Sequence, residues 1–162
     1  MYTKDVIFII PSMAGGGAER VISILANEFD KRAIHVTILM TADSKLSYKL
    51  STNVDLVCLG GRTYGNTHKR IERIKKMRRF FMERPDSVII AFGPDISIFT
   101  MLSLIGLKNK VILSERNDPA AFSHKYIRNW AYGQADEVVF QTDQAMKCFP
   151  GRIRQKGIVI PN

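Results

Sequence analysis

Short apolar runs alternate along this chain with longer stretches in which apolar residues recur every three or four positions. The runs cover 5–10, 35–41, 54–59, 87–92, 110–114, 137–141 and 157–160. They are rich in Val and Ile, and several are continuously apolar, as strands covered on both faces tend to be. In the first intervening stretch Ala18, Val21, Ile22, Leu25 and Phe29 keep the i, i+3, i+4, i+7 spacing of one buried helical stripe. Similar patterns predict helices over 67–83, 95–105, 123–133 and 142–149. Strand and helix alternating at this interval predict βαβ units, hence an α/β fold with a doubly wound, mostly parallel sheet. No internal repeat or low-complexity linker interrupts the pattern, so 1–162 reads as a single domain.

Composition agrees and narrows the classes. With 162 residues, 46% of them hydrophobic, the chain can bury one full core. Cys58 and Cys148 form no CxxC and no Cys/His cluster, which argues against a disulfide framework or a structural zinc and fits a reducing compartment. Cys58 is expected buried in a strand, and Cys148 as a reduced thiol near a helix end. The first apolar run is too short for a signal peptide, and no run approaches the roughly 20 residues of a membrane span. His35, His68 and His124 have no metal-ligand spacing, and Trp130 reads as packing.

In a doubly wound sheet, ligands meet the loops that follow strands. The first such loop holds Gly15, Gly16 and Gly17. Glycine lets the backbone approach a ligand, and the following helix offers unpaired N–H groups and a positive dipole end, a natural seat for a diphosphate. The spacing fits only part of the GxGxxG fingerprint, since Arg20 takes the third position, and no GK[ST] follows. Another distinctive loop is SERNDP, residues 114–119. Arg116 offers a forked grip on phosphate or carboxylate, while Asn117 and Asp118 suit sugar hydroxyls. Asp118–Pro119 also suits a turn that starts the next helix.

Net charge changes the picture at one place. Between His68 and Arg84 eight basic residues face only Glu72 and Glu83, so most of the net charge of +9 sits there. Helical geometry puts Ile71, Ile74, Met77, Phe81 and Met82 on one stripe, with Arg70 and Arg78 in or beside it. Bases mixed with aliphatic and aromatic groups suit an anionic membrane surface, while a sheet-covering helix with a solvated basic face is equally consistent.

Taken in order, GGGAERV after the first strand, SERNDP after a middle strand, ADEVVFQTD and a terminal GIVIPN resemble a GT-B glycosyltransferase of the group 1, family 4 type. The resemblance spans the whole chain but only the amino-terminal half of such enzymes. It implies a Rossmann-like acceptor-side domain facing a cleft, with a carboxy-terminal domain holding most of the nucleotide-sugar site. The paired glutamates of that second domain, eight residues apart, have no counterpart here, so the domain alone is expected to be inactive.

The implied activity is retaining transfer of a sugar from a nucleotide-sugar donor to a glycan or lipid-linked acceptor, in surface polysaccharide or glycoconjugate synthesis. The implied donor-diphosphate contacts are Gly15, Gly16 and Gly17. Acceptor contacts are expected at Glu115, Arg116 and Asn117, with Glu115 and Arg116 as catalytic candidates, although many relatives carry a histidine in this loop. No metal or other cofactor is expected. With a lipid-linked acceptor, the basic helix gains a role: Lys69, Arg70, Arg73, Lys75, Lys76, Arg78 and Arg79 would dock on anionic lipid or meet the acceptor's phosphates. The expected location is cytoplasmic and peripheral, at the inner membrane face. Two rival readings are an NAD-type domain with Asp43 as the ribose acid, and a non-enzymatic module whose basic helix binds an anionic partner. No nucleic-acid motif accompanies that helix, so nucleic acid is not the expected partner.

Overall fold

The structure is a computed structural model that describes residues 5–42, 45–60 and 67–161. Seven strands form one sheet: β1 (Asp5–Ile10), β2 (His35–Met40), β3 (Asp55–Cys58), β4 (Val88–Phe92), β5 (Lys110–Ser114), β6 (Glu137–Phe140) and β7 (Gly157–Val159). Six helices intervene: α1 (Gly17–Lys31), α2 (Thr67–Met82), α3 (Pro94–Ser103), α4 (Lys125–Gln134), α5 (Asp143–Lys147) and α6 (Gly151–Arg154). The strand order is β3-β2-β1-β4-β5-β6-β7, and every pairing is parallel. The expected sheet is therefore present and wholly parallel.

The continuous apolar runs follow from a sheet buried on both faces. Along β1, Ile7 and Ile9 enter one core with Ile89, Ala91, Val111, Leu113 and Val138. Val6, Phe8 and Ile10 enter the opposite core with Ile22, Ala26, Val36, Ile38 and Met40. Each alternate residue thus meets a different helical layer, as the period of two requires. Ile7, Phe8 and Ile9 are completely buried, and each such side chain removed from water contributes about 1.5–3 kcal/mol. The α1 stripe packs on the second core. On the other face α3 lies between α2 and α4 and is itself almost wholly buried.

Element ends shift by one or two residues from expectation, and three readings change. Cys58 lies in a strand as expected but is exposed, because β3 is an edge strand. Asp118–Pro119 does not start a helix: Asp118 Oδ1 accepts the Ala120 N–H at 2.9 Å, closing a turn, and α4 begins six residues later at Lys125. On α2 the buried stripe is narrower than predicted. Met77 and Phe81 are fully buried, but Ile71 is 50% and Met82 59% exposed.

The chain runs from β1 outward to β3, crosses back through α2 to β4, and then runs outward the other way to β7. The reversal between β1 and β4 parts α1 from α3 at the carboxyl ends of these strands. In an open parallel sheet this is where a crevice must form.

Candidate functional site

A cavity of about 460 Å³ occupies that crevice. Its floor is the end of β1 (Ile10, Pro11) and of β4 (Phe92, Gly93); its walls are the first turns of α1 and α3; Arg116, Asn117 and Gln141 close it beyond β5 and β6. Two helix amino termini, each with unpaired N–H groups and a positive dipole end, therefore border one volume.

Of the three glycines only Gly17 lines the cavity; Gly15 and Gly16 shape the approach to it. Gly15 sits at φ +115°, which an L side chain rarely adopts. A segment after β2 ties the loop down. The Ser47 N–H donates to Met13 O at 2.9 Å and its hydroxyl to Ala14 O at 2.6 Å. The Tyr48 hydroxyl donates to Gly16 O at 3.0 Å and accepts the Gly16 N–H at 3.4 Å. These four hydrogen bonds fix the turn at Met13, Ala14 and Gly16, which preorganises it. A Cβ on Gly17 would meet nothing within 4 Å, so the cavity reaches the backbone itself.

The opposite lip, Gly93–Pro94–Asp95, escaped the sequence reading. Gly93 holds φ +87° as the residue before α3, Pro94 takes a first-turn position, and the Ser97 hydroxyl returns to Gly93 O at 2.8 Å. A Gly-Pro pair directly after an apolar run was the available signal. Ser47 and Tyr48 carried none, since only the folded chain brings them to the glycines.

The SERNDP loop divides its residues between two tasks. Arg116 and Asn117 line the cavity. The Arg116 guanidinium lies 5.9 Å from the Phe92 ring centre, and partial burial lowers its pKa from the ordinary value. Glu115 corrects an expectation, because it does not line the cavity. It is 2% exposed, and one carboxylate oxygen accepts the N–H groups of Arg116 and Asn117, both at 3.1 Å. The other accepts the hydroxyl of fully buried Tyr132 at 3.1 Å. Burial raises the Glu115 pKa, against the lowering effect of these donors and of nearby Arg128. Burial, with the Glu115 charge, drives Tyr132 well above its usual range. Arg128 is buried too, and donates to Pro119 O at 2.7 Å. Glu115 thus holds the backbone from which Arg116 and Asn117 project, and its oxygens are occupied in doing so.

Glu19 and Asp95, in the first turns of α1 and α3, add two carboxylates to the lining. The cavity therefore offers Arg116 and helix-terminal N–H groups to an anion, and carboxylate and amide oxygens to hydroxyl donors. A polyhydroxylated ligand with an anionic edge satisfies both sets. Among the described residues no group of three or more His, Cys, Asp or Glu gathers to hold a metal ion.

The basic residues of α2 separate when folded. Lys69, Arg70, Lys75 and Arg79 are exposed, and Arg79 lies 3.6 Å from Glu83. Lys76 pairs with Glu72 at 3.0 Å. Arg73 lies over the Phe99 ring at 5.5 Å. Arg78 corrects another expectation: its guanidinium donates to Ser103 O at 3.2 Å and Ile105 O at 2.6 Å, so it is engaged in capping α3. Among the remaining candidates, His35 bridges Asp5 and Asp55, His124 sits beside Phe122, and Trp130 packs on the core. Cys148 is exposed near the end of α5. Asp43 and the terminal Asn162 lie outside the described residues. Among the described residues no helix is long and apolar enough to cross a membrane.

No family model matches the chain. One curated relative, from Campylobacter jejuni, is 29% identical over 150 residues, covering 83% of this chain and 42% of its own length. It is GalNAc-alpha-(1->4)-GalNAc-alpha-(1->3)-diNAcBac-PP-undecaprenol alpha-1,4-N-acetyl-D-galactosaminyltransferase. Among solved structures, the lipopolysaccharide outer core galactosyltransferase WaaB in apo form superposes with a TM-score of 0.78 at 14% identity, over 98% of this chain and 45% of that one. Anabaena Alr3699/HepE in complex with UDP and glucose gives 0.72 at 13% identity, over 98% and 44%. The chain spans less than half the length of each of these three relatives. The chain is thus similar in sequence to a glycosyltransferase, and its fold is the one these GT-B glycosyltransferase structures share over the matched half.

Proposed function

We propose that this chain is the acceptor-side domain of a retaining glycosyltransferase. It would act on a nucleotide-sugar donor and a glycan or lipid-linked acceptor in surface polysaccharide or glycoconjugate synthesis. The observation that carries the reading is the cavity at the sheet's reversal, where the amino termini of α1 and α3 and the Arg116 guanidinium border one volume. A leaving nucleoside diphosphate gains negative charge as its sugar departs, and fixed N–H groups stabilise that charge without reorganising. Gly17 admits the diphosphate to the backbone, while Glu19, Asp95 and Asn117 offer acceptors to sugar hydroxyls. The relative's lipid-linked substrate supports a lipid-linked acceptor here.

The test is transfer by the full-length protein that carries this domain, using radiolabelled nucleotide sugars and a membrane lipid extract. Label should enter the lipid fraction, and Arg116→Ala should reduce kcat/KM by about tenfold to a hundredfold, as loss of one charge-assisted contact does. Absence of transfer from every nucleotide sugar tried would sink the proposal, and inversion of the anomeric centre would remove its retaining part.

The solvent face of α2 supports peripheral docking on anionic lipid. Exposed Ile71 and Met82 flank Lys75 and Arg79, the mixture that inserts shallowly beside acidic headgroups. Vesicle co-sedimentation checks it: recovery should require anionic lipid and fall as salt rises. Equal recovery on neutral vesicles would count against docking.

A further inference from the structure

Four buried polar side chains stand behind the cavity at the sheet's reversal: Ser97 on α3, Glu115 after β5, and Arg128 and Tyr132 on α4. None of the four lines it. Arg128 and Tyr132 lie one helical turn apart and grip the two ends of the SERNDP loop. Arg128 donates to Pro119 O at 2.7 Å, and the Tyr132 hydroxyl to Glu115 at 3.1 Å. The Tyr132 hydroxyl also meets that of Ser97, which donates to Gly93 O at 2.8 Å. One phenol oxygen thus stands between the two lips of the cavity. On one side is Gly93; on the other are Arg116 and Asn117, whose N–H groups Glu115 accepts at 3.1 Å.

The proton count fits either charge on Glu115. With Glu115 ionised, Tyr132 donates to it, and the single Ser97 proton serves Gly93 O and the Tyr132 oxygen in turn. With Glu115 protonated the order reverses: Glu115 donates to Tyr132, Tyr132 to Ser97, and Ser97 to Gly93 O. Burial favours the second state, while the Arg128 charge and the donors to the carboxylate favour the first. A buried chain satisfied in both states is rigid, and breaking one link leaves its neighbours short of a partner. Packing alone needs no hydroxyl here. The Tyr132 ring stacks on Phe149 at 5.3 Å, which a phenylalanine would do equally well.

We infer that Tyr132 is a positioning residue: through Ser97 and Glu115 its hydroxyl fixes the Gly93 lip relative to Arg116 and Asn117, and so sets the width of the cavity. Its effect on sugar transfer rests on the glycosyltransferase reading, whereas the coupling of the two lips does not.

Nuclear magnetic resonance on the 162-residue chain tests the coupling. Tyr132→Phe should raise the titration midpoint of the Glu115 carboxyl, because the ionised form loses a donor, and should move the Gly93 amide resonance. Ser97→Ala, on the far side of the phenol, should move the amide resonances of Arg116 and Asn117. An unmoved Glu115 midpoint, or unmoved Arg116 and Asn117 amides in Ser97→Ala, would overturn the inference. In the full-length protein Tyr132→Phe and Ser97→Ala should each lower kcat/KM for the nucleotide sugar by about tenfold. Together they should cost no more than Tyr132→Phe alone, and in an Arg116→Ala background Tyr132→Phe should cost less than about twofold. Phe149→Leu, which loosens the same packing but keeps the hydroxyl, should stay within about twofold of wild type. Full activity in Tyr132→Phe, additive losses, or an equal loss in Phe149→Leu would overturn the positioning role. A wild-type protein without transfer would overturn only the enzyme reading, since the resonance shifts decide the coupling by themselves.

Discussion

Glu115→Ala removes the acceptor for three donors at once: the N–H groups of Arg116 and Asn117 and the Tyr132 hydroxyl. The amides border the cavity and can turn to water, so their loss costs little. Tyr132 is fully buried and keeps Ser97 as a second hydrogen-bond partner, so the loss is one hydrogen bond to a charged group, about 1.5–3 kcal/mol, to which the vacated volume adds. The expected destabilisation is about 2–4 kcal/mol, or on the order of 10 °C in melting temperature for a domain of this size. Glu115→Gln keeps a carbonyl for the amides and presents an NH2 that the Tyr132 oxygen can accept, so its loss should stay below about 1 kcal/mol.

The same pair of variants has a pH signature. Burial raises the Glu115 pKa above 4.5, so the folded protein holds this proton more tightly than the unfolded chain. Its contribution to stability is full below the unfolded value, declines as pH rises through the folded value, and is flat above it. Glu115→Gln should abolish that decline. Urea unfolding from pH 4 to pH 8 measures both effects. A Glu115→Ala protein within about 1 kcal/mol of wild type would refute the assignment of Glu115 as the residue that holds this loop.

Gly17→Ala should fold normally, since its Cβ meets nothing within 4 Å. In the proposed transfer reaction it should raise the KM for the nucleotide sugar by about tenfold; unchanged kinetics would move the diphosphate elsewhere. His35 lies 2.9 Å from Asp5 and 3.0 Å from Asp55. Burial opposes its charge, but the two carboxylates together outweigh it and raise the pKa above 6.5. That stabilisation is present below about pH 6.5 and is lost as pH rises through the folded value. His35→Gln should flatten a melting-temperature decline worth about 1 kcal/mol between pH 6 and 8.5; an identical decline in the variant would show that another group causes it. Arg78→Ala should cost about 1–3 kcal/mol through the lost α3 cap while leaving vesicle binding intact. The reverse pattern would return Arg78 to the lipid-facing set.

The strands were legible because a sheet covered on both faces demands unbroken apolar runs, and these can be recognised without knowing their neighbours. The Gly-rich turn was legible for a similar local reason. Glu115 was misjudged because a carboxylate in a loop after a strand looks equally apt for solvent, substrate or a buried hydroxyl, and Tyr132, which decides, arrives 17 residues later. Arg78 was misjudged likewise: its partners are carbonyls at the end of α3. Ile71 and Met82 were placed in the buried stripe by periodicity alone, yet α2 touches its neighbours along a strip narrower than its apolar content. The Gly93–Pro94–Asp95 lip was visible in the sequence but carried no motif, and only strand order gives it a role beside Gly17.

The reversal of strand order has a kinetic consequence. Val6 lies opposite Val36 on one side and Val88 on the other, so the first strand waits for more than half the chain before its second neighbour exists. Closing so long a loop carries an entropic cost that must be met before its contacts reward it, which slows folding. On a ribosome β1 would therefore spend its early life with one edge unpaired, open to wrong partners. The junction that leaves room for a ligand is also the seam at which this domain is completed.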